Sequence, residues 1–400
     1  MFYPLLKAIC NVLFQLLYKP IHVRGKQLSN IHGPAVLVAN HPNSLLDALL
    51  IGTYCNQPVH FIVRSDMFNK PIIRTLLKWL NGIPVYRTSE EKHRLRENLK
   101  SFQYCKEVLQ KNGVILFFGE GMTVHDWNLK PMRSGLTRLL DIAMEDAALR
   151  ENLQIVPVAV NYSKYQCLLK AIHIDAGKPL TAWQPGVTEN YIAWKKRFQQ
   201  QMFEALAAVK YQMRSNDAGA RLCWQTIFNE SEMLFSSHEA RVKFLHKAGS
   251  VIENFSLQAV PNTLQFSYSY LPLSDAAKKK YTWQAVLLFI PTILSLCLNG
   301  IPNFSIRWFC RRYMQKNIFY DSVLTVGIMI IMPLWWIAMG LVTSAIEIPI
   351  LYWMAPAAII SGYLSLHGWI ACFALWNHFK SNTVLRAELQ RILELSNTKR

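Results

Sequence analysis

Three runs in the last third of the chain contain no Asp, Glu, Lys or Arg: Tyr281–Ile306, Ser322–Ile346 and Ile348–Phe379. Each is longer than the roughly 18–20 residues that a helix needs to cross the apolar layer of a bilayer. Trp335, Trp336, Trp353, Trp369 and Trp376 supply aromatic anchors of the kind found at membrane interfaces. Lys278, Lys279 and Lys280 precede the first run, and Arg307, Arg311, Arg312 and Lys316 follow it. Cytoplasmic flanks retain positive charge, so both ends of this run are expected on the cytoplasmic side. With Pro291, Asn299, Gly300 and Pro302 inside it, residues 281–306 read as a re-entrant segment. The other two runs meet at Glu347-Ile348-Pro349 and read as a helical hairpin over 322–379. Together they make a membrane region over 281–380, followed by a cytoplasmic tail over 381–400, and the α/β region before them is expected to face the cytoplasm.

The whole-chain balance agrees. Of 400 residues, 52% are apolar and 17% charged, with a net charge of +18. That is more apolar and less charged than an ordinary soluble domain, and the excess of positive charge favours an anionic partner. Basicity combined with apolar excess points to a membrane surface before nucleic acid. The 8 cysteines are scattered and form no CxxC pair, which argues against a zinc site or disulfide framework and for a reducing compartment. The opening "FYPLLKAICNVLFQLLY" carries Lys7, Asn11 and Gln15 as a narrow polar stripe at helical spacing. It is too short to span a bilayer comfortably, and no small-residue cleavage site follows it. Residues 1–20 read as an amphipathic helix lying in the membrane interface; the alternative is a core helix of the next domain.

From 21 to 215, continuous apolar runs alternate with helical stretches: "AVLVA" (35–39), "VHFIV" (59–63), "GIPVY" (82–86), "GVILFF" (113–118) and "IVPVAV" (155–160). Such strands belong to an α/β sheet covered by helices on both faces. Residues 216–280 read as a helical connecting region to which no function attaches.

Ligands of open α/β sheets bind outside the carboxyl ends of the strands. Asn40-His41, Arg64, Arg87, Gly119-Glu120-Gly121 and Asn161 follow the five runs in turn. In "NHPNSLLD", Pro42 suits the first turn of a helix, so His41 is expected just before it and Asp47 one to two turns inside. An imidazole that removes a proton, with a carboxylate fixing its tautomer, is a base-and-orienter pair. A capping histidine beside a satisfied buried aspartate is the bland alternative. Arg87 could equally be a surface residue at a strand end, and Glu120 a helix cap. Lys130 and Arg133 could face anionic lipid. His60, His125 and Asp126 form no recognisable pair and read as structural or solvated.

"NHPNSLLD" resembles the His-Asp motif of the glycerolipid acyltransferases, the family of lysophosphatidic acid and glycerol-3-phosphate acyltransferases. "GIPVYR" (82–87), "FFGEGMT" (117–123) and "IVPVAVNY" (155–162) resemble its second, third and fourth motifs, in order. The longer His-to-Asp spacing and the stretch "LKPMRSG" (129–135) are similar to the branch containing fungal glycerol-3-phosphate acyltransferases and bacterial relatives. Gly119 stands where the family usually has proline, which puts the rigidity of that turn in question. The resemblance implies an α/β acyltransferase domain with a mixed or mostly parallel sheet covered by helices. It makes His41 the base that deprotonates a glycerol hydroxyl and Asp47 its orienter. Arg87 would hold the substrate phosphate, with Lys130 and Arg133 helping. Glu120, Gly121 and Asn43 would complete the substrate site. The implied partners are membrane lipids, glycerol-3-phosphate or lysophosphatidate, and acyl-CoA or acyl carrier protein as thioester co-substrate. No other cofactor, no metal and no nucleic acid is expected.

Other classes fit less well. A serine hydrolase needs a Gly-x-Ser-x-Gly elbow, and none occurs. "GEGMTV" begins like a dinucleotide fingerprint but lacks the third glycine. A transporter normally carries charged residues inside its spans. The non-enzymatic alternative is a membrane scaffold, and an acyltransferase for another lipid acceptor remains open beside the main reading.

Overall fold

A computed structural model describes residues 2–18, 21–86, 97–168, 170–181, 183–186, 188–213, parts of 221–231, 238–252, 275–314, 317–346 and 353–380. Arg87, Lys316, Glu347-Ile348-Pro349 and the tail over 381–400 lie outside the described residues. The chain divides into two compact units, one made of Met1–Tyr162 and Ile172–Gln212, the other of Ser163–Ala171 and Met213–Arg400.

The first unit is built on a seven-stranded sheet. Its strands are β1 (Ile21–Arg24), β2 (Ala35–Ala39), β3 (Val59–Arg64), β4 (Gly82–Val85), β5 (Val114–Phe118), β6 (Gln154–Tyr162) and β7 (Ile172–Ala176). They lie in the order β1-β7-β6-β2-β5-β3-β4. Every neighbouring pair is parallel except β6 and β7. The sheet is therefore mixed and mostly parallel. All five residues of β2 are buried, as are eight of the nine in β6, because helices cover both faces. Those helices are α1 (Phe2–Leu17), α2 (Lys26–Ser29), α3 (Leu45–Tyr54), α4 (Pro71–Trp79), α5 (Glu97–Gln110), α6 (Gly135–Ala143), α7 (Ala147–Asn152) and α8 (Tyr191–Ala207). The five apolar runs read from the sequence correspond to β2–β6. The flanking β1 and β7 have no counterpart among them.

Helix α1 packs on the domain by one face. Cys10, Phe14 and Leu17 are buried, and the Tyr3 hydroxyl accepts from the Val59 N–H at 3.1 Å. Lys7 donates to the Cys55 carbonyl. The same helix leaves Leu5, Ile9 and Val12 exposed, an apolar stripe facing away from the domain.

In the second unit, the described helices are His238–Ile252, Asp275–Leu287, Phe289–Tyr313, Tyr320–Ala345 and Met354–Lys380. Phe289–Tyr313 and Tyr320–Ala345 are long and apolar enough to cross a membrane. Only 28% and 22% of their most apolar stretches are buried, which is unlike the core helix of a soluble protein. Within 281–306 the chain breaks once, at Leu288, and then runs as an unbroken helix through Pro302. Proline removes the N–H that would serve the carbonyl four residues back, here Leu298. The Trp335 indole N–H donates to that carbonyl at 2.8 Å from the neighbouring helix, so the helix continues. One residue on, Asn299 accepts from the Trp336 indole at 2.9 Å and donates to the Ala358 carbonyl at 2.8 Å. Three helices are thus joined by one buried amide. Trp335→Phe is expected to lower the unfolding free energy by about 1 kcal/mol by orphaning Leu298 O. A lower thermal midpoint in detergent would report it, and an unchanged midpoint would contradict the assignment.

Candidate active site

Strands β6, β2 and β5 are side by side, and β2 is parallel to both. Their carboxyl ends therefore open at one edge. Asn40, the residue after β2, is buried; its amide donates to Val160 O at 3.1 Å and its oxygen accepts from Val160 N at 2.8 Å. These two bonds fix where β2 ends, and His41 leaves the sheet from a set position.

The helix after it begins later than the sequence suggests. Pro42, Asn43 and Ser44 form a turn, with Ser44 at φ 54°, and α3 starts at Leu45. Asp47 therefore falls in the first helical turn rather than deeper inside, where a carboxylate is favoured by the helix dipole. Five residues between His41 and Asp47 are accommodated because this left-handed residue folds the turn back. His41 Nδ1 lies 3.0 Å from Asp47 Oδ2. The same oxygen accepts from the Asn43 N–H at 2.7 Å, and Oδ1 accepts from the Tyr162 hydroxyl at 2.6 Å. Asp47 is fully buried, so three donors hold one carboxylate fixed. An imidazole donating Nδ1–H to it must carry its lone pair on Nε2. Among the described residues Nε2 has no partner, and the ring stays 19% exposed. Its other face stacks on Phe118, centroids 3.7 Å apart and planes 17° off parallel.

The loop after β5 completes the edge. Gly119 N–H donates to Ala39 O at 3.1 Å, and Gly119 O accepts from Arg133 N at 2.8 Å. Proline would lack the first of these donors, so here backbone bonds supply the rigidity that a proline would give. Gly121 adopts φ +63°, and an added Cβ would come within 2.9 Å of Arg133 Cγ, so both backbone and space call for glycine. Glu120 is 4% exposed. Its Oε1 accepts from the Lys130 N–H at 3.4 Å, and the His41 N–H exerts a weaker pull on the carboxylate. Burial pushes it up to about 7, opposed by those bonds and by the charge of Lys210.

Several expected site residues take other places. Glu120 turns into the protein rather than toward an open acceptor space. Asn43 is buried, and its backbone N–H is what reaches Asp47. Lys130 forms an ion pair with Asp126 at 2.5 Å, a structural role for Asp126. Burial opposes the charge on Asp126, but the Lys130 bond and Asn128 N–H hold it below its usual range. Arg133 is exposed at the rim beside Gly121. Arg64 is paired with Asp66 at the surface. Asn161 is a buried brace whose amide donates to Asp175 and to Val209 O, each at 3.0 Å, and whose oxygen accepts from Tyr211 N at 2.9 Å. The sequence reading missed Tyr162, Phe118 and Lys210 as parts of the site. Tyr162 and Phe118 sit within quoted motifs, yet only their strand positions reveal the reach to Asp47 and His41.

The acyltransferase family model matches residues 20–161. Among solved structures, the chain is similar to the 1-acyl-sn-glycerophosphate (LPA) acyltransferase PlsC from Thermotoga maritima. Identity is 15%, the match covers 53% of this chain and 81% of that one, and the TM-score is 0.39. The search of curated proteins found no match.

Proposed function

We propose that the chain is a glycerolipid acyltransferase, a reading supported by the acyltransferase family model over residues 20–161, and that it moves a fatty acyl group from an acyl thioester to a hydroxyl of glycerol-3-phosphate or 1-acylglycerol-3-phosphate at a membrane. The observation that carries this reading is the His41–Asp47 pair, 3.0 Å apart, with Asp47 locked by Tyr162 and the His41 ring open on one edge. Nε2 takes the proton from the acceptor hydroxyl as its oxygen attacks the thioester carbonyl. Asp47 stabilises the imidazolium so formed. The tetrahedral intermediate collapses with loss of the thiolate, which takes the proton back from His41. The thioester is already activated, so no acyl-enzyme is needed. Backbone N–H groups at the strand ends suit stabilisation of the oxyanion.

Phosphate recognition is assigned to Arg87, with Arg133 at the rim. A guanidinium offers bidentate bonds to phosphate. Lys130, held by Asp126, has less freedom to help. Glu120 serves by fixing the backbone of His41. The apolar stripe of α1 and the two long apolar helices would hold the domain at the depth where head group and acyl chain meet. The basic residues around those helices support a cytoplasmic face for the catalytic domain.

The test uses membranes containing the protein in a host without background activity. Labelled acyl-CoA and acyl carrier protein are each offered with glycerol-3-phosphate and with lysophosphatidate. Product from one acceptor, absent in His41→Ala, is the expected result. No product from either acceptor with folded protein would overturn the acceptor assignment. Product undiminished in His41→Ala would overturn the base. Tyr162→Phe strips one donor from buried Asp47, a loss of about 1–3 kcal/mol. It is expected to lower kcat/KM by about tenfold to a hundredfold, measured in the same assay.

A further inference from the structure

Lys210 lies outside every motif, just beyond α8, yet it is 1% exposed. Its Nζ has no hydrogen-bond partner among the described residues. An isolated ammonium in such a place is costly unless opposite charge surrounds it. Four carboxylates act on it: Glu120 and Asp126 from the loop after β5, Asp47 from α3, and Asp175 from β7. Asp126 is already paired with Lys130, Asp47 holds His41, and Asp175 accepts from Asn161. Glu120 is the strongest of the four influences and, among the described residues, has only backbone donors.

The fold sets this position from both sides. Asn161, next to Tyr162 on β6, bonds Val209 O and Tyr211 N, the residues flanking Lys210. The Lys210 N–H closes onto Leu206 O at 2.8 Å. Gln212 accepts from Leu129 N at 3.3 Å, one residue before the Lys130 N–H that binds Glu120. Tyr211 meets His173 edge to face. The strand that orients Asp47 through Tyr162 thus also fixes the backbone that carries Lys210, whose charge acts on Glu120.

Resting on the acyltransferase reading, we propose that Lys210 is a positioning residue of the site: its buried ammonium keeps Glu120 ionised beneath His41, and so sets the acid limit of the base. A Glu120 carboxylate accepts from the Lys130 N–H, draws on the His41 N–H and places negative charge near the loop that carries the imidazole. A protonated Glu120 does both less well. Burial depresses Lys210 to about 8 while Glu120 is raised to about 7. Burial thus works against the charge on each group, and each charge supports the other. Lys210 reaches no substrate; it acts through Glu120.

Two readouts test this on the full chain in detergent or vesicles. In Lys210→Met, the acid limb of the kcat/KM profile is expected to move up by about one pH unit, so the rate at pH 7 falls about fivefold and recovers as pH rises. Lys210→Arg retains the wild-type limb, and Lys210→Met adds no shift in a Glu120→Gln background. The second readout needs no turnover. The carboxyl stretch of protonated Glu120, identified by its absence in Glu120→Gln, is followed by infrared difference titration. It is expected to vanish by about pH 8 in the wild type and to persist to higher pH in Lys210→Met. An unmoved acid limb or infrared midpoint in folded Lys210→Met would overturn the proposal. Should that variant not fold, a wild-type Glu120 still protonated at pH 8 would overturn it instead. The infrared result is independent of acyl transfer, so a failed acyltransferase assignment shows in the acceptor assay and not here.

Discussion

Asp47→Asn is expected to reduce acyl transfer by about three to four orders of magnitude, by analogy with loss of the orienting aspartate in a hydrolase triad, while leaving the domain folded. The size follows from what Asp47 joins. Its two oxygens receive His41 Nδ1, the Asn43 N–H and the Tyr162 hydroxyl, and no part of it meets solvent. An asparagine of the same shape has one oxygen and one NH2. If the oxygen takes the place of Oδ2, the NH2 points at the Tyr162 hydroxyl, which can turn to accept. If the amide flips, the NH2 points at Nδ1 and favours the tautomer with its proton on Nε2, which removes the base. Even in the first orientation the imidazolium loses its counter-charge. The loss should therefore appear in kcat rather than in acceptor KM. His41→Ala sets the floor for comparison. An Asp47→Asn enzyme within about tenfold of wild type would reduce Asp47 to a packing residue.

The strands β2–β6 were legible because a strand buried on both faces must be apolar throughout, and five short apolar runs separated by helical stretches have few other uses. Strand β1 has four residues, most of them half exposed, and β7 buries His173 and Asp175 in place of aliphatic side chains. Neither carries the pattern that identifies the others. His41 and Asp47 could be paired from chemistry, but the manner of pairing could not: it depends on the φ of Ser44, a residue that ordinarily avoids that conformation. Pro302 read as a breaker because its effect depends on whether another helix supplies a donor, and Trp335 lies 33 residues further along. Lys210 gave no signal at all. A lysine is expected in water, and only the convergence of β5, α3 and β7 around it accounts for its burial. Local pattern thus reveals which segments pair, whereas side chains that serve another segment's function become visible only when the segments meet.

Glu120→Gln is expected to alter how stability depends on pH, and the direction is fixed by the sign of the Glu120 displacement. The folded protein holds this carboxyl at about 7 against an ordinary 4.5, chiefly through burial. Below 4.5 the group is protonated in both folded and unfolded chains and contributes no pH dependence. Between 4.5 and about 7 the unfolded chain gives up the proton and the folded chain keeps it, so stability falls as pH rises through that interval. The full loss is about 3 kcal/mol once pH exceeds 7. Glutamine cannot ionise, so this component of the pH dependence should vanish. The unfolding midpoints of Glu120→Gln and wild type, taken from pH 4 to pH 8, should diverge in favour of the variant as pH rises, with the common titrations of other groups cancelling in the difference. Parallel curves would mean that Glu120 is comfortably ionised in the fold and that no stability is given up to keep it charged. Divergence together with reduced turnover would show that a carboxylate unfavourable to folding is retained beneath His41 because the base requires its charge and its hold on the backbone.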